Sequence, residues 1–306
     1  MKEGRVAVRG IELAYFEWGA RSGPTVLMLH ATGFHARCWD GVIRKLGAST
    51  HVIAVDQRGH GRSAKAPPYD WSEFGADTAA LVEALDLDDI IGVGHSMGGH
   101  AAVQAGGEHA DRFRALLLVD PVILDPGAYA RPALFRSAID HPVSRRRNRW
   151  TSPEEMFERF KNRHPFSVWI PDILMDYCRF GIVPDGNGFV LGCPPEVEAA
   201  IYTGSAGRDI REIITKMAKP VVVLRAKRPS PDRHGTLDTG AMDFARSPTW
   251  PGLAAAFPNG RDVHHPELTH FMPMQAPDLV ARHIRDLVVA DDAGCRLQSA
   301  RGLPLP

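Results

Sequence analysis

Residues 90–99 read IIGVGHSMGG. The run up to residue 94 is apolar with no polar alternation, the pattern of a strand buried on both faces of a parallel sheet. Residues 97–109 are rich in alanine and read as a helix. Ser96 therefore stands on a strand-to-helix turn, with Gly94 and Gly98 two residues to either side. A serine on so sharp a turn takes a strained backbone conformation, and its neighbours approach too closely to carry side chains. The G-x-S-x-G spacing meets that need and exposes the hydroxyl above the sheet edge. The helix start beneath it offers free N–H groups and a dipole that favours negative charge.

The same alternation extends outward. Residues 6–8 and 11–18 read as an opening hairpin, and 25–30 (TVLMLH), 51–56 (HVIAVD) and 115–120 (ALLLVD) as further buried strands. Between them, residues 71–85 place Phe74, Thr78, Leu81, Val82 and Leu85 on one helical stripe. The order predicts an α/β fold: a mostly parallel, doubly wound sheet with right-handed crossovers over residues 1–121. The pattern breaks over 122–215, which holds many prolines and the aromatics Tyr129, Phe135, Trp150, Phe157, Phe160, Phe166, Trp169, Tyr177 and Phe180. With no buried strand run, this stretch reads as a mostly helical insertion. Strands return at 220–225 (PVVVLR) and 261–265, and a helix over 275–290 completes a second core segment, 216–290. Residues 291–306 have little to bury and read as a flexible tail.

The bulk numbers narrow the function classes. Among 306 residues, 36 are basic and 36 acidic, a balance that argues against nucleic acid or an anionic membrane surface as partner. No apolar run approaches the roughly 18 residues of a membrane span. The start, MKEGRVAVRG, lacks the apolar stretch of a secretory signal. Cys38, Cys178, Cys193 and Cys295 form no C-x-x-C pair and no metal-ligand spacing. The expectation is a cytoplasmic protein with reduced thiols and no metal or cofactor; a homodimer is left open.

Four motifs carry a resemblance to the α/β-hydrolase family: HATGF at 30–34, DQRGHGRS at 56–63, GHSMGG at 94–99 and THFMPMQAP at 269–277. Their order and spacing span residues 5–290. The resemblance implies that Ser96 is a nucleophile and that His270, on a loop between the last strand and the final helix, is its base; His264 and His265 at the strand end are the alternatives. The family's commoner place for the acid, just past PVVVLR, here reads LRAKRPSPDRHG, with basic residues and Pro229. Some relatives carry the acid at the end of the strand after the elbow helix, which is Asp120 in LLLVDP; Asp232 is the alternative, with Asp238 later still. By the same resemblance the backbone N–H groups of Met97 and Thr32 form an oxyanion hole, although Ala31 stands where glycine is commoner.

DQRGHGRS reads first as a turn, with Gly59, Gly61 and Asp56 shaping it; Arg58 and His60 touching substrate is the alternative, and a direct role for His95 or His100 is a minor one. The insertion lies where family members carry a cap. Phe34, Trp150 and Trp169 are the expected substrate contacts, while most of the other aromatics fill the cap's own core. The arginines of SRRRNRW at 144–150 either form a solvated face or steer an anionic substrate. The leading expectation is a serine hydrolase acting on a small-molecule carboxylic ester, lactone or thioester. Carbon–carbon bond hydrolysis of a vinylogous diketone, and a non-catalytic ligand receptor, are the alternatives; Ser96 at the elbow disfavours relatives that use aspartate there.

Overall fold

The computed structural model describes residues 1–129, 137–205, 209–228 and 246–299, the last nine of these as backbone only. Its strands are β1 (Lys2–Val8), β2 (Ile11–Trp18), β3 (Thr25–Leu29), β4 (His51–Val55), β5 (Ile90–His95), β6 (Phe113–Val119), β7 (Arg149–Trp150), β8 (Ile182–Asp185), β9 (Gly188–Leu191), β10 (Val221–Arg225) and β11 (Gly260–His264). Its helices are α1 (Asp40–Leu46), α2 (Trp71–Ala84), α3 (Met97–Glu108), α4 (Pro153–Phe160), α5 (Pro171–Phe180), α6 (Pro195–Thr203), α7 (Arg211–Lys216), α8 (Leu253–Ala256), α9 (Met272–Gln275) and α10 (Pro277–Ser299).

Among the described residues, eight strands form one sheet in the order β1-β2-β4-β3-β5-β6-β10-β11. From β4 to β11 every pairing is parallel; β1 and β2 are antiparallel additions at one edge. The hairpin turns through Arg9 and Gly10, both at positive φ (47° and 79°). Alternate residues of the central strands feed opposite layers, as the strand period of two requires. Leu27, Leu29, Leu116 and Leu118 pack with α2 and α3 residues such as Phe74 and Leu81, whereas Val26, Met28, Ile91 and Leu117 pack with Val42, Val280 and Ile284 of α1 and α10. Burial on both faces explains why these strands read as unbroken apolar runs.

After β3 the chain pairs β4 on one side, then crosses back to place β5 on the other. In open α/β sheets the crevice beyond such a reversal, at the carboxyl ends of the strands, is where ligands bind. HATGF leaves β3 and Ser96 leaves β5 at this point.

The insertion, read from the sequence as mostly helical, holds strands as well. Beside α4, α5 and α6 it holds a three-stranded antiparallel sheet, β7-β9-β8. Its strands have two to four residues and are half-buried for much of their length, so they leave no apolar run in the sequence. A third apolar cluster joins the insertion to the crevice: Ala31 and Phe34 on one side, Trp150, Met156, Trp169, Ile173 and Tyr177 on the other. At the insertion's far end, Ile210, Ile214 and Met217 pack in the main core beside α3. The closing helix α10 runs on to Ser299. Among the described residues no helix is long and apolar enough to cross a membrane.

Candidate active site

Ser96 sits between β5 and α3 at φ 58°, ψ −118°. That left-handed conformation costs a non-glycine residue of order 1–3 kcal/mol. The glycines around it are there for space. A Cβ on Gly94 would fall 2.3 Å from Gly98 O, one on Gly98 2.2 Å from Leu29 O, and one on Gly99 2.6 Å from Pro121 Cβ. The turn is tied to the end of β6: Ser96 N donates to Val119 O (3.2 Å) and Val122 N donates to Ser96 O (3.1 Å).

Asp120 lies at that end, fully buried and itself at positive φ (44°). Its Oδ1 accepts from Ala226 N (2.9 Å), Ser247 Oγ (2.5 Å) and Thr249 Oγ1 (3.3 Å). Its Oδ2 lies 2.6 Å from His270 Nδ1. An isolated buried carboxylate would be very costly; this one has donors on both oxygens. Because the carboxylate accepts, Nδ1 of His270 carries the proton, which leaves Nε2 as the basic nitrogen. His270 is 4% exposed and lies between β11 and α9. Of the other histidines considered, His265 pairs with Glu267 Oε1 (3.0 Å). Asp232 and Asp238 lie outside the described residues. Among the described residues the Ser96 hydroxyl takes no hydrogen bond; such contacts are often long in unliganded sites and tighten with substrate.

The loops after β3 and β5 meet where Thr32 Oγ1 donates to Met97 Sδ (3.4 Å). The loop after β3 is fixed by its neighbours: Gly33 N donates to His60 Nε2 (2.9 Å), Gln57 N donates to His30 Nε2 (3.0 Å), and Phe34 N donates to Ala31 O (3.1 Å). Among the described residues the N–H groups of Thr32 and Met97 have no hydrogen-bond partner. Burial lowers His60 to a pKa of about 3. Asp56 accepts from Ala36 N (2.7 Å) and Arg62 N (2.8 Å), and Arg58 forms a buried bidentate pair with Asp77 (2.7 and 2.8 Å). These side chains build the turn, so Arg58 and His60 are committed to the framework.

Phe34 and Trp169 come together against Phe271, the residue after His270. Phe34 packs on Trp169 (5.5 Å between ring centroids), Tyr177 (5.5 Å) and Phe271 (6.0 Å), and Phe271 on His270 (5.7 Å). Trp150 sits farther into the insertion, between Phe160 (5.4 Å) and the Arg147 guanidinium (4.3 Å). The arginine run is not a bare basic face. Arg146 pairs with the buried Glu198 and donates to Tyr177 Oη (3.3 Å), Arg147 pairs with Glu155, and Arg149 with Asp185 (2.8 Å). Burial works against the Arg146 charge, but Glu198 and Tyr177 outweigh it and raise its pKa. Glu198 also fills the space beside Gly33, where a Cβ would fall 2.4 Å from its Oε1.

Sequence reasoning missed Ser247 and Thr249 on the Asp120 carboxylate, and Glu198 under Arg146. Nothing local marks any of them. Among the described residues no group of three or more His, Cys, Asp or Glu side chains is placed to hold a metal ion.

Comparison with known proteins places this arrangement. Residues 26–283 match the model of an alpha/beta hydrolase family. The chain is 31% identical over 298 residues to a bifunctional esterase/perhydrolase of Acinetobacter calcoaceticus, covering 90% of this chain and 95% of that protein. It is 34% identical over 169 residues to a non-heme chloroperoxidase of Streptomyces lividans, covering 53% of this chain and 56% of that one. With this and an N-formylmaleamate deformylase of Pseudomonas putida (52%), the chain spans about half the length of the curated relative. The crystal structure of E-2-(acetamidomethylene)succinate hydrolase superposes with a TM-score of 0.72 at 21% identity, over 94% of this chain and 98% of that one. The chain is a member of the alpha/beta hydrolase family, and its sheet and crevice have that family's fold.

Proposed function

We propose that the protein is a serine hydrolase that cleaves a carboxylic ester, lactone or thioester through an acyl-enzyme. The observation that carries the reading is the buried pairing of His270 Nδ1 with Asp120 Oδ2 at 2.6 Å, beside a serine on a strained turn. In this reading Ser96 Oγ attacks the carbonyl carbon and passes its proton to His270 Nε2. Asp120 holds the imidazole in the right tautomer and stabilises the imidazolium. The carbonyl oxygen becomes an oxyanion held by the Thr32 and Met97 N–H groups, each worth about 3 kcal/mol in the transition state. The leaving alcohol or thiol takes the proton from His270. Water, deprotonated by His270, then attacks the acyl carbon and releases the acid and free Ser96.

The insertion acts as a cap, and Phe34 and Trp169 form the apolar wall beside the scissile bond. The esterase/perhydrolase relative, similar along nearly its whole length, supports the acyl-transfer class. The test is treatment with a fluorophosphonate probe and with para-nitrophenyl acetate and butyrate, Ser96→Ala in parallel. Labelling and turnover in the wild type and neither in the variant are expected. An unlabelled, inactive wild type would overturn the reading in favour of a ligand-binding role.

A further inference from the structure

His95 closes β5 and directly precedes Ser96. It is 1% exposed, and its Nε2 lies 2.8 Å from the backbone carbonyl of His270. A carbonyl only accepts, so Nε2 carries the proton. Burial foremost, with His270 close by, holds the His95 pKa well below its ordinary value, so the ring is neutral. Its centroid lies 4.9 Å from that of His270, and Phe34 (6.1 Å) and Trp39 (6.5 Å) pack on it.

The residues between β11 and α9 have no regular structure to fix them. Lys227 N donates to Leu268 O (3.0 Å) and Thr269 N to Gln275 Oε1 (3.0 Å), which anchors the two residues just before His270. His270 itself is held at its ring by Asp120 and at its carbonyl by His95. The first contact ties the base to β6. The second ties its main chain to the strand that carries the serine.

We propose that His95 is a positioning residue, a neutral tether that fixes the main chain of His270 relative to Ser96. This rests on the reading of Ser96 and His270 as nucleophile and base. Without the tether the carbonyl loses that hold, and a displacement near 1 Å at a catalytic group costs on the order of 100-fold in rate. Neutrality is part of the role. A charged ring so close would oppose the imidazolium that Asp120, the carboxylate facing His270, stabilises.

The test compares His95→Leu, which removes the donor, with His95→Gln, whose amide nitrogen reaches about as far as Nε2. Both are made in the full chain. The readouts are kcat and KM for para-nitrophenyl acetate, the acid-limb midpoint of kcat/KM, and the far-downfield proton resonance of the short His270–Asp120 hydrogen bond. In His95→Leu, kcat falls roughly 10- to 100-fold with little change in KM. The acid-limb midpoint moves down, because a looser hold by Asp120 stabilises the imidazolium less, and the downfield resonance broadens or disappears. His95→Gln restores all three towards wild type. A merely structural role would lower the melting temperature of both variants and leave midpoint and resonance in place; that result overturns the tether. Should His95→Leu fail to fold, His95→Asn, whose amide stops short of the carbonyl, takes its place with the same expectations. If the wild type hydrolyses no ester, the functional reading fails separately. The resonance still decides the tether: loss in the leucine variant and retention in the glutamine variant carry it, and persistence in both overturns it.

Discussion

On the proposed reading the crevice has a floor and a roof, and the two are held by different means. The floor, at the ends of β3, β5 and β6, is fixed by main-chain contacts and by side chains that cap them: Gly98 against Leu29 O, His60 on Gly33 N, Asp120 on Ala226 N. The roof, in the insertion, rests on rings packed edge to face, such as Trp169 and Tyr177 on Phe34 of the loop after β3, and on a buried ion pair, Arg146 with Glu198. Main-chain contacts tolerate little displacement, so the floor suits chemistry that needs fixed distances. Ring packing accepts substitution of similar volume, so the roof suits selectivity.

That contrast breaks first, if it is wrong, at the floor. Ser96→Ala is expected to reduce turnover of para-nitrophenyl acetate by roughly 10⁶-fold without lowering the melting temperature. Residual activity within a hundredfold of wild type would remove the serine from the chemistry. Asp120→Asn is expected to cost about 10⁴-fold in kcat by favouring the wrong tautomer of His270. Asp232→Asn should cost far less, and the reverse ranking would move the acid to Asp232.

Effects at the roof should fall on stability and selectivity. Arg146→Met leaves Glu198 buried without its partner and is expected to destabilise by about 3–5 kcal/mol in urea unfolding, whereas the double change with Glu198→Leu recovers much of that loss. A single variant as stable as wild type would show that the pair is no anchor. Trp169→Phe should change the preference between acetate and butyrate esters by only a fewfold, through KM, with kcat on acetate nearly kept. A large loss of kcat there would make the roof part of the chemistry.

The smallest effect concerns acid stability below the floor. Arg225 holds the Asp262 carboxyl below its ordinary pKa by hydrogen bonding from β10 to β11. A depressed carboxylate pKa adds stability that is present above the unfolded value, about 4, and lost as pH falls through the folded one. Melting temperatures of Asp262→Asn and wild type should therefore differ at neutral pH and converge below about pH 4. A constant gap would rule out that linkage.

How far the sequence could be read follows the same division. Strands buried on both faces announce themselves as apolar runs, and the turn at Ser96 requires glycine at fixed offsets, so the sheet and the floor's main-chain pattern are local features of the chain. Asp120 and His270 are read, through the family resemblance, from their strand-end and loop positions, and the structure places them side by side. The collar of Ser247 and Thr249 and the His95–His270 contact join positions far apart in sequence, with no local signature. The small sheet β7-β9-β8 stayed hidden because its half-buried strands have no apolar run to show. Arg146 looked like one of several surface charges because nothing near it in sequence indicates that Glu198 waits beneath it.

The 150 positions between Asp120 and His270 have a consequence for how the molecule comes into being. At ~5–20 residues per second, a ribosome takes roughly 8–30 s to pass from one to the other. Throughout that interval the nascent chain carries Ser96 and Asp120 but no His270, and until Val221–Arg225 is made β6 has no β10 to pair with. On the proposed roles, a product terminated in that interval has the serine without its base, and reactivity waits on the docking of the segment that carries His270.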